Sequence, residues 1–365
     1  MTPALRLDRL RGVASRAGVD AIAIIPGSTF LYVTGAQFHL MERPTVLIVP
    51  VEGRPAIVLP DLEFQSWQAL GIDAEICRWK DEEGFAGAFA AAARAVSAQR
   101  LGVEGFAMRY AEFSALETAF PAATFANVQQ HTNAMRAIKE ADELGRLREA
   151  VHYAEAAFNQ TLAQVRVGMT ELEVQRRMMQ AFLEQPVVGP IGAPLVLAGP
   201  NSALPHGHSG DYAIQPGDAL LFDFGVTHHG YSSDITRTVF VGGVADEDRA
   251  LYDVVLAANA LGRDTARPGL TAHALDDAVR GHLEASPYAD FVVHKTGHGL
   301  GLDVHEAPQI MRGNHTPLAP GHYFTIEPGL YRPGRVGVRI EDDVLITDKG
   351  CESFSTLPRE LLVVG

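Results

Sequence analysis

The spacing of apolar positions divides the chain into a first part with short elements and a second part with longer ones. In residues 1–135, short apolar runs alternate with stretches of helical periodicity. Strands are predicted over 21–25, 30–33, 46–51 and 56–59, and helices over 5–17, 85–97 and 111–120. This alternation is typical of a mixed α/β domain. Because the region has no glycine-rich phosphate loop and no cluster of His or Cys, we assign it no chemistry.

The second part, residues 136–365, begins with a long amphipathic helix. Apolar residues recur there at spacings of three and four, which predicts a helix over 140–165. Thr170 and Glu173 have the spacing of a capping box, which predicts that a second helix starts there. Further helices are predicted over 247–263 and 271–285, with apolar strands and Gly/Pro-rich loops between them. The pattern predicts an α+β domain.

Four acidic residues of this second part lie in predicted strands. They form two pairs, Asp223 with Asp234 and Glu327 with Glu341, and each pair flanks a turn. Opposed residues of an antiparallel hairpin have a constant sum of numbers. The sum is 457 for Asp223 and Asp234, which places their turn at 228–229, and 668 for Glu327 and Glu341. Opposed side chains have Cβ atoms about 5 Å apart, and like charges at that distance are costly unless a proton or a cation neutralises them. Two such pairs predict bound cations and therefore a metalloenzyme.

The composition narrows the class of protein further. A hydrophobic share of 47% and a charged share of 20% in 365 residues predict a globular protein of about two domains. The formal net charge of −14 argues against a nucleic-acid surface, which needs a basic stripe. Cys77 and Cys351 are far apart, as is usual in a reducing compartment. Without a signal-like segment or an apolar run of about 18 residues, we expect a cytoplasmic protein with no membrane span.

A glycine-rich segment with two histidines adds a further candidate ligand. His298 lies between Gly297 and Gly299, and glycines let the backbone approach a site closely. A dinucleotide-binding loop is the weaker interpretation, because the run reads G-x-G-x-G and lacks a strand-to-helix context. With the four acids, His298 forms a set of hard donors that suits two ions of Mn, Co, Zn or Fe. Two such ions can share carboxylates and hold a hydroxide that attacks an amide.

Five motifs occur in the order found in the pita-bread metallopeptidases, and the sequence resembles that family. They are L-x-D-x-G at 221–225, D-I-T-R-T at 234–238, H-G-L-G at 298–301, I-E-P-G at 326–329 and R-I-E at 339–341. The first part of the chain is similar in size and place to the N-terminal domain of the prolidase, aminopeptidase P and creatinase branch. The resemblance implies a creatinase/prolidase-like α/β domain over 1–135 and a pita-bread catalytic domain over 136–365.

The resemblance also implies roles for individual residues. Two divalent metal ions, with manganese preferred, would be bound by Asp223, Asp234, His298, Glu327 and Glu341. Glu327 would in addition carry a proton to the leaving amine. His206 matches a substrate-facing catalytic histidine, and His305 matches the residue that stabilises charge on the scissile carbonyl. The substrate-binding residues would be His294, Tyr331 and Arg339.

The activity implied by the resemblance is hydrolysis of the Xaa-Pro bond of small peptides, with a dipeptidase slightly favoured over an aminopeptidase. Proline has no N–H and a fixed φ, so a pocket shaped for its ring can supply selectivity. Related enzymes are commonly homodimers, and we expect the same here, without a nucleic-acid or membrane partner. Two alternatives are a metal-dependent small-amide hydrolase of the ectoine hydrolase type and a non-catalytic pita-bread binding module. The complete ligand set argues against the second.

Other polar residues near the motifs have simpler interpretations. His208, His228 and His229 are expected to be solvated residues of turns. Asp342 and Asp343 follow Glu341 directly, and we expect both to be surface acids, with Asp343 the less exposed of the two because it shares the strand face of Glu341.

Overall fold

The computed structural model describes residues 2–365, which form two compact units that divide between Arg136 and Ala137. The strands of the first unit are β1 (Ala21–Ile24), β2 (Val46–Pro50), β3 (Ala56–Pro60), β4 (Glu75–Trp79), β5 (Arg100–Val103) and β6 (Thr124–Asn127). They form one mixed sheet in the order β4-β3-β2-β1-β5-β6. The helices are α1 (Pro3–Ala17), α2 (Ser28–Thr34), α3 (Phe64–Gln68), α4 (Ala86–Ala95), α5 (Tyr110–Ala119) and α6 (Gln129–Ala137), with a short 3-10 helix at Asp61–Glu63. The prediction of a mixed α/β fold for this part is confirmed.

One segment of the first unit differs from the prediction. Residues 30–33, predicted to be a strand, lie within helix α2. An apolar run this short does not distinguish a strand from a buried helix by its periodicity. The better signal is Gly35, which ends the helix with φ of 73° in the left-handed region that glycine favours. The prediction of a strand here is wrong.

The second unit combines longer helices with short strands. Its helices are α7 (Ala141–Leu162), α8 (Glu171–Leu183), α9 (Asp246–Thr265) and α10 (Ala272–Glu284), with 3-10 helices at Gly199–Ala203 and Ala289–Phe291. Its strands are β7 (Leu195–Ala198), β8 (Ala219–Phe224), β9 (Thr227–His228), β10 (Tyr231–Ser232), β11 (Ile235–Val241), β12 (Gly297–Gly299), β13 (Glu306–Ile310), β14 (Tyr323–Ile326), β15 (Gly329–Arg332), β16 (Val336–Arg339), β17 (Asp342–Thr347), β18 (Gly350–Ser353) and β19 (Val363–Val364).

Two sheets of the second unit carry the candidate site residues. One has the order β19-β11-β8-β7 and the other the order β13-β12-β14-β17-β18, while β9–β10 and β15–β16 form two-stranded ribbons. Buried apolar side chains pack α7 and α8 against β8 and β11, and a second cluster packs α9 and α10 against β14 and β16. The strand ends that carry the acids are therefore held in a packed frame.

The helix starts of the second unit follow their capping residues. Thr170 Oγ1 accepts a hydrogen bond from Glu173 N at 3.1 Å, and Glu173 Oε2 accepts one from Thr170 N at 2.8 Å, so the predicted capping box is confirmed. Thr271 caps α10 by accepting from Ala274 N at 3.1 Å. Over residues 2–365, no helix has both the length and the apolar composition needed to cross a membrane.

Candidate active site

The two glutamates face each other in a short gap between two ladders. Strands β14 and β17 pair with Ile326 opposite Asp342, and β15 and β16 pair with Gly329 opposite Arg339, so both ladders share the predicted sum of 668. Glu327 and Glu341 lie between these pairs in the same register. The turn that closes the hairpin contains a glycine at 334 with φ of 70°. The predicted opposition of the two glutamates is confirmed.

The two aspartates are not directly opposed, and that part of the prediction is wrong. Asp223 pairs with Thr236, so the register sum is 459 rather than 457. The loop of the hairpin is His229–Gly230, with φ of 49° and 85°, between the pair formed by His228 and Tyr231. Positive φ at both loop positions is typical of a two-residue hairpin turn. Because the displacement is an even number of residues, Asp234 keeps the face that Asp223 occupies.

The five predicted ligands converge on one place. His298 projects from the short strand β12, and its Nε2 lies 3.5 Å from Glu327 Oε1 and 3.8 Å from Asp234 Oδ2. The ligand atoms of His298, Glu327 and Glu341 all lie within 4.8 Å of one another, and so do those of Asp223, Asp234 and Glu341. Glu341 belongs to both groups. Two adjacent groups that share one carboxylate match the arrangement of a two-metal site.

The electrostatics of this cluster demand a cation. Burial and the neighbouring carboxylates raise the pKa of Asp234 and of Glu341 well above their usual values. Burial also raises the pKa of Glu327 to about 7, although Arg339 opposes the shift. Divalent cations would replace the protons that these acids otherwise retain, so the residues fit divalent metal ions.

His298 is prepared as a neutral ligand. Burial and, to a smaller extent, the neighbouring His305 lower its pKa to about 3. Its Nδ1 lies 3.1 Å from the carbonyl oxygen of Gly299, to which it donates a hydrogen bond. The lone pair of Nε2 therefore points towards the acids, as in a histidine that binds a metal.

Hydrogen bonds from three side chains orient the carboxylates. Thr236 Oγ1 donates to Glu341 Oε2 at 2.6 Å, and Thr325 Oγ1 lies 3.3 Å from Glu327 Oε1. Arg339 donates through Nη2 to Asp223 and through Nε to Thr236 Oγ1 at 2.9 Å. Thr236 therefore links the aspartate hairpin to the glutamate hairpin. Thr236 is not among the predicted site residues, although its position in the D-I-T-R-T motif was a signal.

A hydrogen-bonded chain fixes the predicted substrate-binding residues. Arg339 Nη1 donates to the hydroxyl of Tyr331 at 2.7 Å, and this hydroxyl lies 2.9 Å from His294 Nε2. His294 Nδ1 lies 2.7 Å from the carbonyl oxygen of Lys295, so Nδ1 carries the proton and Tyr331 donates to Nε2. Burial lowers the pKa of His294 to about 4 and raises that of Tyr331 to about 12. Both ring nitrogens of His294 are thus engaged within the protein, which leaves its ring face and C–H edge for a ligand.

These residues line one cavity of about 300 Å³. Its lining residues are Pro205, His206, Asp223, Asp234, Val293, His294, Lys295, His298, His305, Glu327, Arg339 and Glu341. The ring centre of His305 lies 4.0 Å from that of His298, and a nitrogen of His305 lies within 4.8 Å of ligand atoms of His298 and Asp234. His206 and His305 line this cavity and are both exposed to solvent. The volume is at the small end of the range of ligand sites, which suits a short peptide.

Several residues outside the cluster depart from the predictions. His228 is buried rather than solvated: its Nδ1 accepts a hydrogen bond from Val188 N at 3.1 Å, and its Nε2 lies 3.2 Å from Glu149. Asp342 and Asp343 are also fully buried, because helices and strands cover both faces of their strand. His208 and His229 are exposed, as expected.

Asp343 supports the site directly. Its Oδ2 accepts a hydrogen bond from the backbone N–H of Asp234 at 3.1 Å, and its own N–H donates to Ser355 Oγ at 2.9 Å. This contact fixes the backbone between the end of β10 and the start of β11, from which the side chain of Asp234 projects. Alternation along the strand placed Asp343 on the face of Glu341, and that was the signal for its burial.

Comparison with known proteins agrees with this geometry. Residues 145–348 match metallopeptidase family M24, and residues 6–138 match the creatinase/prolidase N-terminal domain. The chain belongs to metallopeptidase family M24. The second unit is the pita-bread domain of that family, the first unit is a creatinase-type N-terminal domain, and the predicted fold class is confirmed. Membership of family M24 also confirms the prediction of an enzyme of the peptidase class that depends on divalent metal.

Relatives of this M24 chain match it over almost its whole length. A Xaa-Pro dipeptidase of Lactobacillus delbrueckii subsp. lactis is 33% identical over 364 residues, which cover 99% of each chain. The structure of a Xaa-Pro dipeptidase from Bacillus anthracis has a TM-score of 0.90 at 31% identity and covers 99% of this chain and 100% of its own. The structure of an X-Pro aminopeptidase from Thermotoga maritima has a TM-score of 0.86 at 29% identity, with coverage of 98% and 99%.

Proposed function

We propose that this M24 peptidase hydrolyses the Xaa-Pro bond of dipeptides, with two divalent metal ions held by Asp223, Asp234, His298, Glu327 and Glu341. The observation that carries the proposal is the convergence of four acids, which share the nearby guanidinium of Arg339, and a neutral histidine on a small cavity. The names of the similar dipeptidases support the choice of substrate. Cations bound there supply Lewis acidity and lower the pKa of a coordinated water towards neutrality.

The protein side chains would then orient the peptide and move the proton. Glu327 takes a proton from the attacking water and delivers it to the prolyl nitrogen, which leaves as an amine. His305, exposed to solvent beside His298, donates a hydrogen bond to the scissile carbonyl oxygen as negative charge develops. His206 lines the same cavity and contacts the substrate.

Selectivity for proline would come from the other wall of the cavity. His294 is held by Tyr331, Tyr331 is held by Arg339, and Val293 adds an apolar side chain to the lining. A ring face whose nitrogens are already engaged offers van der Waals contact and no hydrogen bond. This surface suits the pyrrolidine ring, which has no N–H to satisfy.

Manganese is the metal we propose, with cobalt, zinc and iron as the competitors. Four carboxylates and one imidazole are hard donors, and such sets favour Mn²⁺ over thiophilic metals in proteins. We also propose a homodimer in the cytoplasm. Exposed aromatic side chains in the first unit, Phe106 at 93% and Tyr110 at 83%, support a self-association surface.

The experiment is a substrate comparison with metal-depleted and reconstituted enzyme. We expect two ions bound per chain and hydrolysis of Ala-Pro at least about tenfold faster than that of Ala-Ala, with Mn²⁺ giving the highest rate. Calorimetric metal titration and product analysis measure the two quantities. Equal rates on Ala-Pro and Ala-Ala would overturn the proposed selectivity, and binding of fewer than two ions would overturn the dinuclear site.

A further inference from the structure

Lys295 has no role in the metal site, yet it lines the cavity. It directly precedes Thr296 and β12, and its Nζ donates a hydrogen bond to the side-chain oxygen of Gln309 on β13. Lysine is rare in this chain: the sequence has it at 80, 139, 295 and 349. An ammonium group has three N–H donors, and Gln309 takes one of them.

Two other basic side chains that line the cavity, Arg339 and His294, are already committed or neutral. The guanidinium of Arg339 donates to Asp223, Tyr331 and Thr236. Both ring nitrogens of His294 are engaged within the protein, and burial lowers its pKa to about 4, so this side chain is uncharged near neutral pH. Lys295 forms no ion pair within residues 2–365, and it therefore brings to this cavity a positive charge that can bind an anion of the ligand.

Lys295 lines the same cavity as Glu327 and His305, the two residues expected to flank the scissile bond. In an Xaa-Pro dipeptide the C-terminal carboxylate is one residue beyond that bond, at most about 3.6 Å further along an extended chain. Such a carboxylate enters a cavity lined by four acids, so it needs a cation close by.

We propose that Lys295 binds the C-terminal carboxylate of an Xaa-Pro dipeptide and thereby makes the enzyme a dipeptidase. The inference rests on the proposed Xaa-Pro activity of the same cavity. A longer peptide or a C-terminal amide places a neutral carbonyl where the dipeptide has its carboxylate, and the charge-assisted hydrogen bond is lost. Gln309 holds the ammonium in position from the neighbouring strand.

The test compares acid and amide substrates in Mn²⁺-loaded enzyme. Lys295→Gln removes the charge and keeps a polar side chain, Lys295→Arg keeps the charge, and Lys349→Gln changes an exposed lysine of a turn as the matched control. For Ala-Pro we expect Lys295→Gln to raise KM about 10- to 100-fold, the range for a hydrogen bond to a charged group. For Ala-Pro-amide, kcat/KM changes by less than about threefold, and Lys295→Arg recovers much of the loss on Ala-Pro.

A binding measurement separates this inference from the proposed function. Proline, the product, binds wild type more tightly than prolinamide does, and Lys295→Gln removes this preference without altering the stoichiometry of Mn²⁺. Equal losses on the acid and amide ligands would overturn the inference, because Lys295 would then act through the metal site or the fold. Unchanged binding would overturn it as well. The proposed function is tested independently by the wild-type rates on Ala-Pro and Ala-Ala.

Discussion

Glu341 and Asp342 are neighbours in the chain, but their side chains belong to two different clusters of buried charge. Glu341 lies in the metal cluster, where the surrounding carboxylates raise its pKa. Asp342 lies in what we call the arginine cluster, formed with Arg237, Arg263 and Arg359. Its Oδ1 accepts from Arg237 at 2.7 Å, and its Oδ2 accepts from Arg359 at 2.6 Å. Burial raises the pKa of Asp342, but Arg237 and Arg359 outweigh burial and lower it.

The difference shows how a functional buried acid is distinguished from a structural one. In the arginine cluster the protein supplies the positive charges, so Asp342 is neutralised in the folded chain itself. In the metal cluster the positive charges of the protein do not balance the negative charges of the acids. The missing positive charge has to come from bound cations. Burial alone does not separate the two residues, since both are less than 3% exposed.

The largest expected effect is the loss of activity in Glu341→Gln. The substitution removes the carboxylate shared by the two groups of metal ligands, and loss of outer-shell partners alone costs about 10- to 100-fold. We expect kcat/KM to fall by more than about 100-fold, while the melting temperature of the metal-free protein changes little, because glutamine has nearly the shape of the protonated glutamate that the raised pKa favours. Steady-state kinetics and calorimetric unfolding check this. Activity above a tenth of wild type would contradict the assignment of Glu341 as a ligand.

The second prediction concerns the opposite face of the same strand. Asp342→Asn leaves the buried guanidinium of Arg237 without its counter-charge, and breaking a buried pair in this way costs about 3–5 kcal/mol. We expect the free energy of unfolding to fall by that amount in denaturant titrations, with metal stoichiometry unchanged in the folded protein. Asp348→Asn, an exposed acid on the turn after β17, is the control and should change stability by less than about 0.5 kcal/mol. A stable Asp342→Asn protein that fails to bind metal would reverse the roles assigned to the two clusters.

The smallest effect is the dependence of metal stabilisation on pH. The pKa of Glu327 is raised from 4.5 to about 7 in the metal-free protein, so its contribution to stability is present below pH 4.5 and is lost as the pH rises to about 7. Metal binding requires the ionised form and therefore strengthens over the same window. We expect the gain in melting temperature on adding Mn²⁺ to grow from pH 5 to 7.

The buried histidines are neutral in both the metal-loaded and the chelated sample. Their contribution therefore cancels when the two melting temperatures are subtracted. Asp342 does not contribute to the pH dependence between pH 5 and 7. Its pKa is lowered in the folded protein, so its contribution to stability is lost only at more acidic pH. Calorimetry in buffers of different ionisation enthalpy should record proton release on metal binding. A gain in melting temperature that stays constant between pH 5 and 7 would show that the carboxylates are already ionised before the metal binds.

The sequence predicted the glutamate hairpin better than the aspartate hairpin, and the reason lies in the turns. The glutamate register follows from one turn centred at 334, and a single sum holds through both ladders. In the aspartate hairpin the loop is His229–Gly230, and a glycine in the second loop position was the signal for the sum of 459. The predicted sum of 457 is smaller than the observed sum of 459 by two. The ligands still converge because an even displacement preserves the face.

The burial of Asp342 could not be predicted from local pattern, and the pattern gave only one signal for Asp343, the strand face that it shares with Glu341. Asp342 and Asp343 follow a glutamate and read as a solvated acidic run, but their burial depends on partners far away in the chain. Arg237 is 105 residues from Asp342, and Asp234 is 109 residues from Asp343. Only tertiary packing brings these partners together. The five ligands, in contrast, lie in short motifs that can be recognised in the sequence itself.

The alternation of Glu341 and Asp342 also guards against misassembly of the strand. A slip of one residue along β17 would turn the side chain of Asp342 to the face of the metal cluster and that of Glu341 to the face of the arginines. The metal cluster would then receive a carboxylate that is one methylene shorter, and Arg237 and Arg359 would lose the hydrogen bonds that they donate to Asp342. Both losses disfavour the same misalignment. The two neighbouring acids therefore specify a single register for the strand that carries the catalytic residues.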